Sequence, residues 1–108
     1  MEESYSVLIA LQENLPESYS DEHLHLLEQL ATRYQAILNH IAETSDPDNV
    51  TLFYRERKPD LEAYLKDAKY GHSEKQRVAG FNNARELLEE GINALLFQLN
   101  EQEKSKLS

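Results

Sequence analysis

The sequence predicts an all-α fold: a small bundle of about four helices, two of them long and antiparallel, with dimerisation as a route to completing the core. Three observations carry that reading. First, residues 21–43 and 74–103 are amphipathic at helical period. Leu24, Leu27, Ala31, Tyr34, Leu38 and Ile41 recur at spacings of three and four, and so, nearly, do Phe81, Ala84, Leu88, Ile92, Leu95 and Leu99. That spacing gathers the apolar side chains on one stripe of a helix. Second, glycine and proline number only three each, too little punctuation for many short strands. Third, 108 residues with 40% hydrophobic and 29% charged content match one globular domain.

The elements follow in order. Residues 3–15 carry Tyr5, Val7, Leu8, Leu11 and Leu15 at helical spacing. This helix should end near Asn14-Leu15-Pro16, because the residue before a proline is pushed out of the helical region. Ser18-Tyr19-Ser20 forms a link, and Ser20 is the expected N-cap of the next helix. Asp21 and Glu22 then complement the positive end of its dipole. That helix runs to about Glu43 with no glycine or proline. Leu30 and Ile37 widen its apolar face beyond a two-per-heptad seam, which suits a bundle.

Thr44-Ser45-Asp46-Pro47-Asp48-Asn49 is the clearest loop. A third helix is expected from there, capped by Asp46 with Pro47 in its first turn. It carries Val50, Phe53, Tyr54, Leu61, Tyr64 and Leu65, and Pro59 should kink or break it at Lys58. Tyr70-Gly71-His72 should end it, with Lys66 and Lys69 in the last turn and Gly71 in a left-handed conformation. Ser73-Glu74-Lys75-Gln76 matches a capping box, the most specific local signal in the chain. It opens the last helix, which contains Gly80 and Gly91. Each costs about 1 kcal/mol against alanine in a helix interior, and each permits a close approach of another chain segment. Asn82-Asn83 offers a second start after a break at Gly80. Residues 1–108 read as one domain with a frayed tail over about 103–108.

The charge is segregated. Residues 1–49 hold ten acids and one base, Arg33, whereas residues 50–85 hold eight bases and five acids. With a net charge of −9, an acidic surface disfavours nucleic acid and anionic membrane as partners. No apolar run approaches the ~20 residues that span a bilayer. The opening run MEESYSVLIAL is acidic where a secretory signal is basic, so cytoplasmic residence is the default expectation. The absence of cysteine excludes a disulfide framework, a thiolate metal site and a cysteine nucleophile.

No motif supports chemistry. Glu22-x-x-His25 has the spacing used by carboxylate-bundle iron sites, but those need two such pairs and two further glutamates. Glu22, His25 and Glu28 lie three residues apart and read as a solvated helix terminus rather than a zinc site. Ser20, Ser45 and Ser73 sit where helix caps are needed. No nucleophile elbow or phosphate-cradling glycine loop occurs. The expectation is a non-enzymatic chain with no cofactor and no metal.

What remains is surface. Phe53, Tyr54, Arg57, Tyr64 and Tyr70, with neighbouring bases Arg55, Lys58, Lys66, Lys69, Lys75 and Arg77, form an aromatic and basic segment. Arginine and tyrosine are enriched at interface hot spots. Gly91 is a close-approach point, and Leu96 and Phe97 fall off the main stripe of the last helix. These eight residues are the candidate contacts with another protein: Phe53, Tyr54, Arg57, Tyr64, Tyr70, Gly91, Leu96 and Phe97. The expected function is a protein-binding module, an adaptor or assembly factor that presents a helical apolar groove and forms a homodimer. In general look the chain is similar to small bacterial secretion and flagellar export chaperones, which are acidic, helical and poor in cysteine. The alternative is an acidic inhibitor, immunity-type protein or nucleic-acid mimic that neutralises a basic site through residues 1–49.

Overall fold

In the computed structural model the described residues are 2–44 and 50–107, with side chains over 5–44 and 51–101. They form five helices and no strand: α1 (Glu2–Glu13), α2 (Asp21–Thr44), α3 (Val50–Glu56), α4 (Lys58–Tyr70) and α5 (Glu74–Leu107). The longest dimension is 53 Å. At 1.5 Å per residue α5 alone spans about 51 Å, so it is the spine on which the others pack.

Both sequence stripes are internal. In α2, Leu24, Leu27, Leu30, Ala31, Tyr34, Leu38 and Ile41 are buried. In α5, Phe81, Ala84, Leu88, Ile92 and Leu95 are fully buried, with Leu99 close behind. Leu8 and Leu11 of α1 and Leu61 and Ala68 of α4 complete one connected core. The stripes therefore find their cover within the chain.

The caps explain where the helices begin. The Ser20 hydroxyl accepts a hydrogen bond from the His23 amide at 3.0 Å, as an N-cap serine should. The Ser73 hydroxyl accepts from the Gln76 amide at 3.1 Å. The Gln76 side chain reaches back one residue further than the standard box and accepts from the His72 amide at 3.1 Å.

Two expectations are corrected, the antiparallel run of the long helices and the left-handed Gly71, and two others are refined. The two long helices do not run antiparallel. Tyr19, just before α2, stacks edge-on against Phe81 with ring centroids 5.8 Å apart. Further along α2, Tyr34 lies against Gly91. Both helices thus advance in the same sense. The reason is the connection: α4 turns back through residues 71–73 and runs antiparallel to α5, with Tyr64, Asp67 and Ala68 against Gly80. α1 also runs antiparallel to α5. Gln12 donates to Asn93, and Arg85 Nε donates to the Pro16 carbonyl at 2.6 Å.

The third segment does break before Pro59, into α3 and α4, with the position shifted by one residue. The break falls at Arg57 rather than Lys58, and Arg57 sits at φ −85°, ψ 0°. Proline is tolerated only where its missing N–H has no helical partner, so the new helix starts just early enough to place Pro59 in its first turn. The proposed cap at Asp46 and Pro47 lies outside the described residues.

Gly71 is not left-handed. At φ −56°, ψ 146° it is extended, and its amide donates to the Asp67 carbonyl at 2.9 Å. Glycine is needed there for space: a Cβ would stand 2.6 Å from that carbonyl and 3.0 Å from Arg77 Cγ. Of the two readings of the last helix the continuous one holds: α5 runs through Gly80 and Asn82-Asn83 and is helical to Leu107. A Cβ on Gly80 would meet the Tyr64 carbonyl at 2.6 Å and the Ala68 amide at 2.8 Å. This glycine lets the α4 backbone lie directly on α5.

Candidate functional site

The large apolar side chains left exposed identify where the surface is unfinished. They are Leu52 and Phe53 on α3, Tyr70 at the end of α4 and Phe97 on α5. Two of the four are neighbours on one short helix. Phe53 is 53% exposed and Leu52 45%, although Thr51 beside them is fully buried. The Phe53 ring meets Tyr54 edge-on at 5.0 Å, and the Arg57 guanidinium lies 4.7 Å above it. Arg57 also approaches the Asp60 carboxylate at 3.4 Å. The break before Pro59 makes this corner. α3 ends there, and Arg57 turns back over the last aromatic pair.

Next to the corner, α2 and α4 leave a cleft of about 290 Å³ between them. Glu28, Ala31, Thr32 and Gln35 form the α2 wall, and Lys58, Leu61, Glu62 and Leu65 form the α4 wall. Each set repeats at three and four residues, so each wall is one face of one helix. Ala31 and Leu61 are buried and form an apolar floor, while Thr32, Lys58 and Glu62 stand at the open rim. The small side chain of Ala31 leaves the volume unfilled. Lys58 lies 3.9 Å from Glu62.

Among the described residues the ion pairs that form all lie in the second half of the chain. Arg57 and Lys58 each have a carboxylate partner on their own helix. Glu13, Glu17, Asp21, Glu22, Glu28 and Glu43 of the first half form no ion pair among the described residues. Glu28 is half-buried as well as unpaired.

The eight residues singled out from sequence scatter. Phe53 and Arg57 meet at the α3 corner. Tyr54, Tyr64 and Leu96 are half-buried and pack against the core. Leu96 is thus not the exposed position expected of it. Tyr70 is 67% exposed with Lys69 Nζ 5.5 Å from its ring, but it stands at the far end of α4 from the corner. Phe97 is 68% exposed, on the side of α5 away from the core stripe. Gly91 is buried, and a Cβ there would fall 1.8 Å from the Tyr34 hydroxyl. The close approach at Gly91 is therefore filled from within the chain. Arg77, counted among the patch bases, donates to the Gly71 carbonyl at 2.9 Å and ties down the α4–α5 turn.

Leu52, and the meeting of the cleft residues in one site, escaped the sequence reading. Leu52 adjoins Phe53 and carried a visible signal. The cleft carried only a faint one, an alanine where the rest of the stripe is large.

Tyr34 is the one described ionisable group with a clear shift. Burial pushes its phenol well above the usual tyrosine range, and the nearby Tyr54 adds to the effect. Its hydroxyl has no hydrogen-bond partner. Around Glu22 and His25, the His25 ring nitrogen Nε2 lies 3.2 Å from Gln29 Nε2. Among the described residues no group of three or more metal-ligating side chains is assembled, and no helix is long and apolar enough to cross a membrane. Comparison with family models, with curated proteins and with solved structures finds no match.

Proposed function

We propose that this chain is a non-enzymatic protein-binding module whose working face is the α3 corner and the cleft beside it. The observation that carries the reading is the exposure of Leu52 and Phe53, with an unfilled cleft floored by Ala31 and Leu61 starting one residue past the Arg57 corner, in a molecule whose two long stripes are fully covered. An exposed apolar patch adjoining a concave surface marks an interaction site more often than a packing accident. Phe53 held by Arg57 and Tyr54 is a stiff aromatic anchor, so little side-chain entropy is lost when a partner covers it.

A photo-crosslinking side chain at position 53, compared with one at exposed position 86 on α5, tests this in the producing cell. A discrete partner adduct from position 53 alone is the expected result. Equal labelling from both positions, or none from 53, would sink the proposal.

The second reading, an acidic inhibitor of a basic protein, draws on the six unpaired acids of α1, α2 and the link between them. Capture governed by those charges disappears as added salt shortens the screening length to about 3 Å near 1 M. Capture governed by the apolar corner persists. Homodimerisation through the same face is a third occupancy, and sedimentation at rising concentration separates it from both.

A further inference from the structure

We infer that the α2–α4 cleft receives a basic amphipathic helix of another protein, with one or two large apolar side chains seated on Ala31 and Leu61 and a lysine or arginine paired to Glu28. The inference rests on the protein-binding reading and names the partner's chemistry.

Three features select this occupant. The walls are two helix faces of about two turns each, the length over which a docking helix presents side chains at three- and four-residue spacing. The floor is apolar and a volume of about 290 Å³ is left open above it, enough for large side chains. The third feature is charge. Lys58 is offset by Glu62, and Arg57 by Asp60, so the rim's own cations are spoken for. Glu28 has no cation partner among the described residues, and half-burial strips part of its hydration. A carboxylate in that position gains most from a cation arriving with the ligand. Five further acids of the first half form no ion pair among the described residues, and with the net charge of −9 they favour the approach of a basic partner at longer range.

An acidic helix is disfavoured by the same account, because it would add repulsion at Glu28 and Glu62. A second copy of this chain is a poor occupant, since two bodies of net charge −9 repel on approach.

The test uses the 108-residue chain and two labelled helical peptides. One pairs leucine with lysine at three- and four-residue spacing, and the other replaces each lysine with glutamate. Fluorescence anisotropy should show saturable binding of the lysine peptide only. Glu28→Lys should weaken it about tenfold, an interaction of close charges. Thr32→Trp, which places a large ring at the exposed mouth, should abolish it. Glu86→Lys makes the same charge change on the far side of α5 and should leave it unaltered. Circular dichroism confirms that each variant folds.

Equal weakening by Glu28→Lys and Glu86→Lys would mean unspecific charge attraction and overturn the inference. So would binding of the glutamate peptide, or indifference to Thr32→Trp. A dimer in sedimentation that Thr32→Trp dissociates would overturn it in favour of a second copy. None of these failures touches crosslinking at position 53, so the broader protein-binding proposal stands or falls separately.

Discussion

Tyr34 and Phe53 stand on neighbouring helices and are both large aromatics on amphipathic segments, yet one is 2% exposed and the other 53%. Tyr34 reaches across to α5 because residue 91 is glycine, and the missing Cβ is the space its hydroxyl occupies. Phe53 has no such receptor. It rests against Tyr54 and under Arg57, on a helix of seven residues that the Arg57 break cuts short. The difference teaches that an aromatic's period does not decide its burial. The small residue opposite decides it, and α3 is given none.

The comparison can be strained from both sides. On the buried side, Leu88→Ala should have the largest effect. Leu88 is 0% exposed, and deletion of its side chain should destabilise by about 2–5 kcal/mol. Urea unfolding followed by circular dichroism measures it. Wild-type stability in this variant would mean that the α5 stripe is not core.

Gly91→Ala comes next. The added methyl collides with the Tyr34 ring tip, and overpacking of this kind costs about 1–3 kcal/mol. Combined with Tyr34→Leu, which withdraws that tip, the alanine should cost much less. A double-mutant cycle with no coupling between the two sites would refute the receptor role of Gly91.

Tyr34→Phe isolates the hydroxyl. The folded state holds the phenol protonated well above its ordinary value of about 10. Below pH ~10 both folded and unfolded chains carry it neutral, and its contribution does not vary. Above pH ~10 the unfolded chain ionises first, so stability falls by up to about 1.4 kcal/mol per pH unit until the folded phenol also ionises. The phenylalanine variant should lack that decline. At neutral pH it should match or slightly exceed the wild type, because it removes a buried hydroxyl without a partner. Identical alkaline melting curves for the two proteins would contradict the burial of Tyr34.

The smallest effect on folding belongs to the exposed side. Phe53→Asp should change stability by no more than about 0.5 kcal/mol, as surface substitutions do. A loss of several kcal/mol would make Phe53 a core residue and erase the contrast with Tyr34.

Much of the fold is legible in the residues themselves. The stripes of α2 and α5 are buried residue for residue, and Ser20 and Ser73 cap where their side chains predict. Such signals are local: a helix face and a cap depend on neighbours within one or two turns. The candidate face is less legible. Phe53 and Arg57 stand out in sequence as an aromatic followed one turn later by a base, and they do meet. Tyr54, Tyr64, Gly91 and Leu96 carry equally suggestive signals and turn inward. Nothing within a few residues of Gly91 says that Tyr34 will arrive from another helix.

The sequence by itself determined the helices, their caps, their buried faces, the break near Pro59 and the uneven spread of charge. Only the tertiary structure decided that α2 and α5 run in the same direction, that α4 lies directly on Gly80, and that α2 and α4 part over Ala31 to leave a cleft. The physical reason is range. Periodicity states which face must leave water, whereas the identity of its cover is set by contacts between residues far apart in the chain. Those contacts depend on how volumes such as Tyr34 and Gly91 fit together.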